Sequence, residues 1–106
     1  RYPVPNCDIP ELKPFLNEKG QLTALPVKRK KELLALYYLS QKMETGRQYT
    51  EGEINDLLNN WTTFRDPATL RRALYDTCLL ERTRDGSVYR RAETIPPPAE
   101  YVARYT

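Results

Sequence analysis

Asp66-Pro67-Ala68-Thr69-Leu70-Arg71-Arg72-Ala73-Leu74 is the stretch whose reading decides the fold. Asp66 suits a helix N-cap, and Pro67 suits the first helical position, where its missing N–H would be unpaired anyway. At helical spacing Leu70, Ala73, Leu74 and Thr77 form an inward stripe, which leaves Thr69, Arg71, Arg72, Tyr75 and Asp76 facing outward or sideways. Small Ala73 between two leucines allows close approach of a second helix. That helix is signalled upstream. Thr50-Glu51-Gly52-Glu53 is a capping box, and Ile54, Leu57, Leu58 and Trp61 follow as one apolar face. Gly52 in its first turn costs up to about 1 kcal/mol against alanine, an amount the cap offsets. Downstream the period changes to that of strands: Cys78-Leu79-Leu80-Glu81-Arg82-Thr83 and Ser87-Val88-Tyr89-Arg90-Arg91 flank the turn signal Asp85-Gly86. An isolated hairpin is marginal, so Leu80 and either Val88 or Tyr89 are expected to pack on the helices. Helix, turn, helix and hairpin in this order specify an α+β winged helix-turn-helix, with three helices and a small antiparallel sheet.

Toward the N-terminus, Pro26 opens a helix expected over 27–43. Leu33, Leu36, Leu39 and Met43 share one stripe, while Leu34 and Tyr38 point almost the opposite way. A helix apolar on two sides is buried on two sides. The N-terminal extension, the C-terminal tail or the same helix of a second copy could cover the Leu34/Tyr38 face, which makes it a candidate dimer or partner face. Gly46 is placed to end this helix in a left-handed conformation, and Tyr49 to act as a hydrophobic staple onto Ile54 or a neighbour. Asn17-Glu18-Lys19-Gly20 reads as a turn between Phe15-Leu16 and Gln21-Leu22-Thr23-Ala24-Leu25, a hairpin or first strand that could extend the later ribbon. Pro3, Pro5, Pro10 and Pro14 make 1–14 an extended arm. The winged-helix domain is then 15–92. Pro96-Pro97-Pro98 marks 93–106 as a proline-rich tail that is disordered, laid across the domain, or used in a dimer contact.

Composition narrows the function. The 106 residues carry a net charge of +3 and no histidine, which excludes histidine-based acid–base chemistry and histidine metal sites. The glycines are scattered singly, so no phosphate loop is present, and no carboxylate pair stands apart from ordinary surface charge. The expectation is a protein that is not an enzyme and uses no cofactor or metal. Cys7 and Cys78 lack metal-ligand spacing and read as free thiols, with Cys78 buried. No apolar run could span a bilayer and no leader pattern is evident, so the expected location is the cytoplasm, away from membranes.

Several of these stretches together resemble a bacterial family known only as domain of unknown function two thousand eighty-seven. They are Phe15-Leu16 through Gly20-Gln21-Leu22-Thr23, Leu25-Pro26-Val27-Lys28-Arg29-Lys30-Lys31, Gly46-Arg47-Gln48-Tyr49-Thr50-Glu51, Leu70-Arg71-Arg72-Ala73-Leu74, and Arg82-Thr83-Arg84-Asp85-Gly86-Ser87-Val88-Tyr89. They cover most of the chain in the family's order. Members are commonly described as winged-helix or ArsR-like transcriptional regulators, so the resemblance implies that fold and role. Many relatives carry a histidine in the linker before the Leu-Arg-Arg helix. Here that linker is Trp61-Thr62-Thr63-Phe64-Arg65, so no role of the histidine transfers. Relatives also tend to have Glu at position 73 and Gly at position 78.

The residues point to double-stranded DNA as partner. The 67–77 helix would enter a major groove, with the 82–91 wing on the backbone. Thr69, Arg71, Arg72 and Tyr75 would meet base edges or phosphates, while Arg65, Arg82, Arg84, Arg90 and the run Lys28-Arg29-Lys30-Lys31 would position through phosphates. Every basic residue after Lys42 is arginine, which suits forked phosphate recognition. The plainer readings are a solvated face for Lys28–Lys31 and ion pairing of Arg71 and Arg72 with Asp76 or nearby acids. Asp66, Asp76, Glu81 and Asp85 interrupt the proposed face. The alternative is a protein-interaction or dimerisation module on a winged-helix scaffold without DNA binding of its own. The two combine if a homodimer presents paired recognition helices.

Overall fold

The computed structural model describes residues 10–106, so residues 1–9 of the arm expected at 1–14, Cys7 included, lie outside the described residues, and residues 10–14, expected to be extended, are instead part of a 3-10 helix. A 3-10 helix, Pro10–Phe15, precedes α1 (Arg29–Ser40), β1 (Gln48–Tyr49), α2 (Glu51–Asn60), α3 (Pro67–Asp76), β2 (Leu80–Arg82), β3 (Tyr89–Arg91) and α4 (Pro98–Tyr105). Among the described residues the result is an α+β fold with four α-helices and one three-stranded antiparallel sheet in the order β1-β3-β2, a layout compatible with that of a winged helix.

α1 is the centre of the core: every residue from Leu33 to Ser40 is buried. It is shorter than the expected 27–43. Lys28 is extended and offers no side-chain cap, and the four cations of 28–31 oppose the helix dipole at that end. Val27 consequently stands outside the helix, almost fully exposed. At the other end tighter turns take over, Lys42 N–H bonding Leu39 O and Met43 N–H bonding Ser40 O, and these keep Met43 buried. Gly46 is left-handed as expected (φ 81°) but sits in the loop beyond.

The face formed by Leu34 and Tyr38 is not an open partner surface. Both side chains are buried within the chain, and the Tyr38 hydroxyl donates to Gly20 O at 2.6 Å. The 3-10 helix and α4 both pack on α1. The tail is therefore an ordered helix laid across the domain, in place of a polyproline end. Pro98 occupies a first-turn position of α4, where proline is tolerated. Tyr101 is fully buried, its ring 5.5 Å from that of Tyr37. The Tyr37 hydroxyl ties the linker down by donating to Pro96 O at 2.9 Å, and burial raises its pKa.

α2 and α3 form as their caps dictate. Thr50 and Glu53 make both bonds of the capping box, and Asp66 accepts from Thr69 N–H. Ile54, Leu58, Leu70 and Leu74 are fully buried, each contributing about 1.5–3 kcal/mol by leaving water. The hairpin also forms: Leu80 pairs with Arg91, Glu81 with Arg90 and Arg82 with Tyr89. Its third strand differs from expectation. Gln48–Tyr49 joins β3, whereas Leu22 makes only isolated bridges, to Leu16 and to Thr62. The segment after α2 captures Leu22 first, through Leu22 N–H to Trp61 O at 2.8 Å and Thr63 N–H to Leu22 O at 2.9 Å. Tyr49 is buried, as a staple would be, but its hydroxyl also accepts from Glu44 N–H at 2.9 Å.

Cys78 is exposed, contrary to its expected burial. It follows α3 with φ 62°, a left-handed turn that sends Leu79 and Leu80 into the core and the thiol outward. A side chain there is strained by roughly 1–2 kcal/mol, which glycine avoids. Cys78→Gly is expected to raise stability by about 1 kcal/mol, read as a higher urea midpoint at unchanged m value. A lower midpoint would mean that the thiol makes a stabilising contact.

Candidate nucleic-acid interface

Ala68, Arg71, Arg72, Tyr75 and Asp76 from α3, with Arg82 and Tyr89 from the hairpin, line an open groove of about 370 Å³. The helical period places Arg71 and Tyr75 on one ridge and Ala68, Arg72 and Asp76 on the next. The strand register sets Arg82 directly opposite Tyr89, so both project from the same face of the hairpin toward α3.

The three guanidinium groups differ in freedom. Arg71 is only 19% exposed. One of its terminal nitrogens, Nη1, donates at 3.2 Å to Glu51 Oε1 and at 3.2 Å to the Tyr89 hydroxyl, and its Nε is buried without a partner. This single side chain ties α2, α3 and β3 together. Arg72 is 86% exposed, with a loose 3.8 Å pair to Asp76, worth little in water. Arg82 lies 4.8 Å from the Tyr75 ring centroid. The Tyr75 hydroxyl, then that of Tyr89, pushes its pKa above the ordinary arginine value. Among the described residues no carboxylate pairs with Arg82, which leaves it the least neutralised cation of the groove.

The remaining candidates stand elsewhere. Arg90 points to the other face of the sheet, paired with Glu81 at 2.8 Å and Glu93 at 3.7 Å, because successive strand residues alternate sides. Lys28, Arg29, Lys30 and Lys31 do not line this groove; Arg29 is engaged by Glu32 at 3.0 Å and by Tyr105 O at 3.1 Å. Arg65, in a left-handed turn (φ 46°), and Thr69 are exposed near the start of α3, and Arg84 is exposed at the hairpin tip. That tip is rigidified by Asp85, whose carboxylate accepts from the Thr83 hydroxyl (2.7 Å) and from the N–H and hydroxyl of Ser87. Those bonds, Thr83's foremost, lower its pKa to about 2. The carboxylate is therefore ionised at neutral pH and offsets part of the charge of Arg84.

Sequence reasoning brought Arg71, Arg72, Tyr75 and Arg82 to this surface but missed Ala68 and Tyr89 in its lining and Glu51 as the partner that holds Arg71 from outside. The Glu51–Arg71 ion pair joins residues of two helices, and no local pattern reports it. Alternation in 87–91 left either Val88 or Tyr89 to pack on the helices; Tyr89 is the buried one, and its hydroxyl is the unforeseen part. Among the described residues no group of His, Cys, Asp or Glu is arranged to hold a metal ion, and no helix is long and apolar enough to cross a membrane.

No curated protein and no solved structure matches the chain. A bacterial family profile does match, over residues 21–91, which span α1 to β3 and leave α4 outside. The chain therefore belongs to the family described as "Uncharacterized protein conserved in bacteria (DUF2087)".

Proposed function

We propose that this chain is a winged-helix, DNA-binding transcriptional regulator that acts without catalysis, cofactor or metal. In this reading α3 enters the major groove and the β2–β3 wing follows the backbone. The order α1-β1-α2-α3-β2-β3, with β1 on the outer side of β3, suits that docking. One observation carries the reading: the outward face of α3 and the inner face of the hairpin converge on a single groove holding Arg71, Arg72, Arg82 and Tyr75. Arg72 and Tyr75 are exposed where a recognition helix would meet base edges, and Arg84 stands at the wing tip.

The second reading, a protein-interaction module, is favoured by the ion pairs of Arg71 and Arg90, which engage cations that DNA would need. Titration of mixed genomic duplex across a salt series separates the two. DNA binding predicts that log K falls linearly with log salt, and that Arg72→Ala/Arg82→Ala reduces the slope by about 2. Absence of binding even at about 50 mM salt would sink the DNA reading for this chain and favour a protein partner.

A further inference from the structure

We infer that the α3–hairpin groove is a seat for one phosphate group, located at its Ala68 end between Arg72 and Arg82. This inference deepens the DNA reading and rests on it for the phosphate's source, a duplex backbone. A free phosphorylated small molecule offers the same chemistry to the groove.

The position follows from where charge and space lie. Ala68, Arg72 and Asp76 succeed one another along one ridge of α3, so Asp76 is about 12 Å from Ala68 along the axis. The Asp76 carboxylate pairs loosely with Arg72 at 3.8 Å, one turn beyond Arg72 on the side away from Ala68, and a phosphate at the Ala68 end draws Arg72 off that pair. At the Ala68 end the α3 N-terminus adds its partial positive charge. The exposed methyl of Ala68 leaves room there. Arg82 is held on the Tyr75 ring without a carboxylate partner among the described residues, and Arg72 gives up only a loose exposed pair. Two guanidinium forks can then donate to one phosphate. Arg71 forms the floor as a positioning residue: Glu51, which is not part of the groove lining, holds it from outside.

Ala68→Glu tests the seat. The substituted position is exposed, in the first turn of α3, where an acid favours the helix, so the fold is retained. Ala68→Gln controls for size, and Ala24→Glu, at another exposed position that does not line the groove, for net charge. Duplex affinity is measured for each. The Arg82 side-chain N–H resonance is followed during titration with inorganic phosphate. The expected result is duplex binding weakened on the order of tenfold or more by Ala68→Glu relative to Ala24→Glu, with Ala68→Gln near wild type. Phosphate is expected to shift the Arg82 resonance in the wild type and not in Ala68→Glu. Equal losses in Ala68→Glu and Ala24→Glu would overturn the seat while leaving DNA binding intact. A phosphate-induced shift abolished by Ala68→Glu, with no duplex binding by any variant, would retain the seat, assign it to a free phosphorylated ligand and overturn the DNA reading. Neither duplex binding nor a shift would overturn both.

Discussion

Tyr101→Ala is expected to lower stability by about 3–5 kcal/mol, the range for deleting a buried aromatic side chain. Tyr101 is fully buried and is the anchor of α4, which at eight residues is too short to persist alone in water. Its ring contacts Tyr37 on one side and Tyr105 on the other, at centroid distances of 5.5 and 5.3 Å. Removing it releases the helix and exposes the adjoining side of α1. A melting temperature lowered on the order of 15 °C would register this.

Tyr101→Phe separates packing from polarity. The Tyr101 hydroxyl is buried without a well-formed hydrogen bond, so phenylalanine is expected to cost less than about 1 kcal/mol or to stabilise. The same hydroxyl creates an alkaline liability. Burial, foremost, raises its pKa from 10.0 to about 12. The folded state then holds a proton that the unfolded state has released. Stability is fully present below pH 10 and falls as pH rises toward 12, by about 2–3 kcal/mol from this group. Tyr37, also raised, acts in the same direction. Urea midpoints taken across that window should fall less steeply in Tyr101→Phe. Identical midpoints for wild type, Tyr101→Phe and Tyr101→Ala would show that α4 does not dock in solution.

Arg71→Ala is expected to cost about 2 kcal/mol, whereas Arg72→Ala, its neighbour on the same helix, should fall within about 0.5 kcal/mol of wild type. The contrast comes from burial. Arg71 is 19% exposed and bridges Glu51 and Tyr89, so its removal opens a gap between α2, α3 and β3 and takes the guanidinium donor from the hydroxyl of buried Tyr89. Arg71→Lys should recover little, because an ammonium lacks the planar fork. A double-mutant cycle with Glu51→Ala is expected to give a coupling energy of about 1 kcal/mol. Equal effects of Arg71→Ala and Arg72→Ala would refute the bridging role. The distinction also explains why the DNA experiment replaces Arg72 and Arg82: loss of Arg71 would confuse unfolding with lost contact.

The local chemistry of α2, α3 and the hairpin was legible in the sequence, because each is governed by neighbours a few residues apart. Thr50 and Glu53 close a capping box, Asp66 and Pro67 start α3, and Gly86 takes the positive φ of its turn. The two-sided apolar pattern of α1 likewise announced a helix buried on two sides, and every residue from Leu33 to Ser40 is buried. What covers that second face was a question of tertiary structure, since a short proline-led segment such as 98–105 becomes a helix only when Tyr101 finds the core. The third strand was also decided at long range: Tyr49 reaches Tyr89 across the sheet, while Leu22 is taken by the Trp61–Thr63 segment. At the candidate site the sequence by itself determined that arginines would crowd one helix and one hairpin. Only the tertiary structure divided them by function, burying Arg71 against Glu51, turning Arg90 to the opposite face and leaving Arg82 on Tyr75 beside an open groove. Charge is a property of the residue, but its partner is a property of the fold.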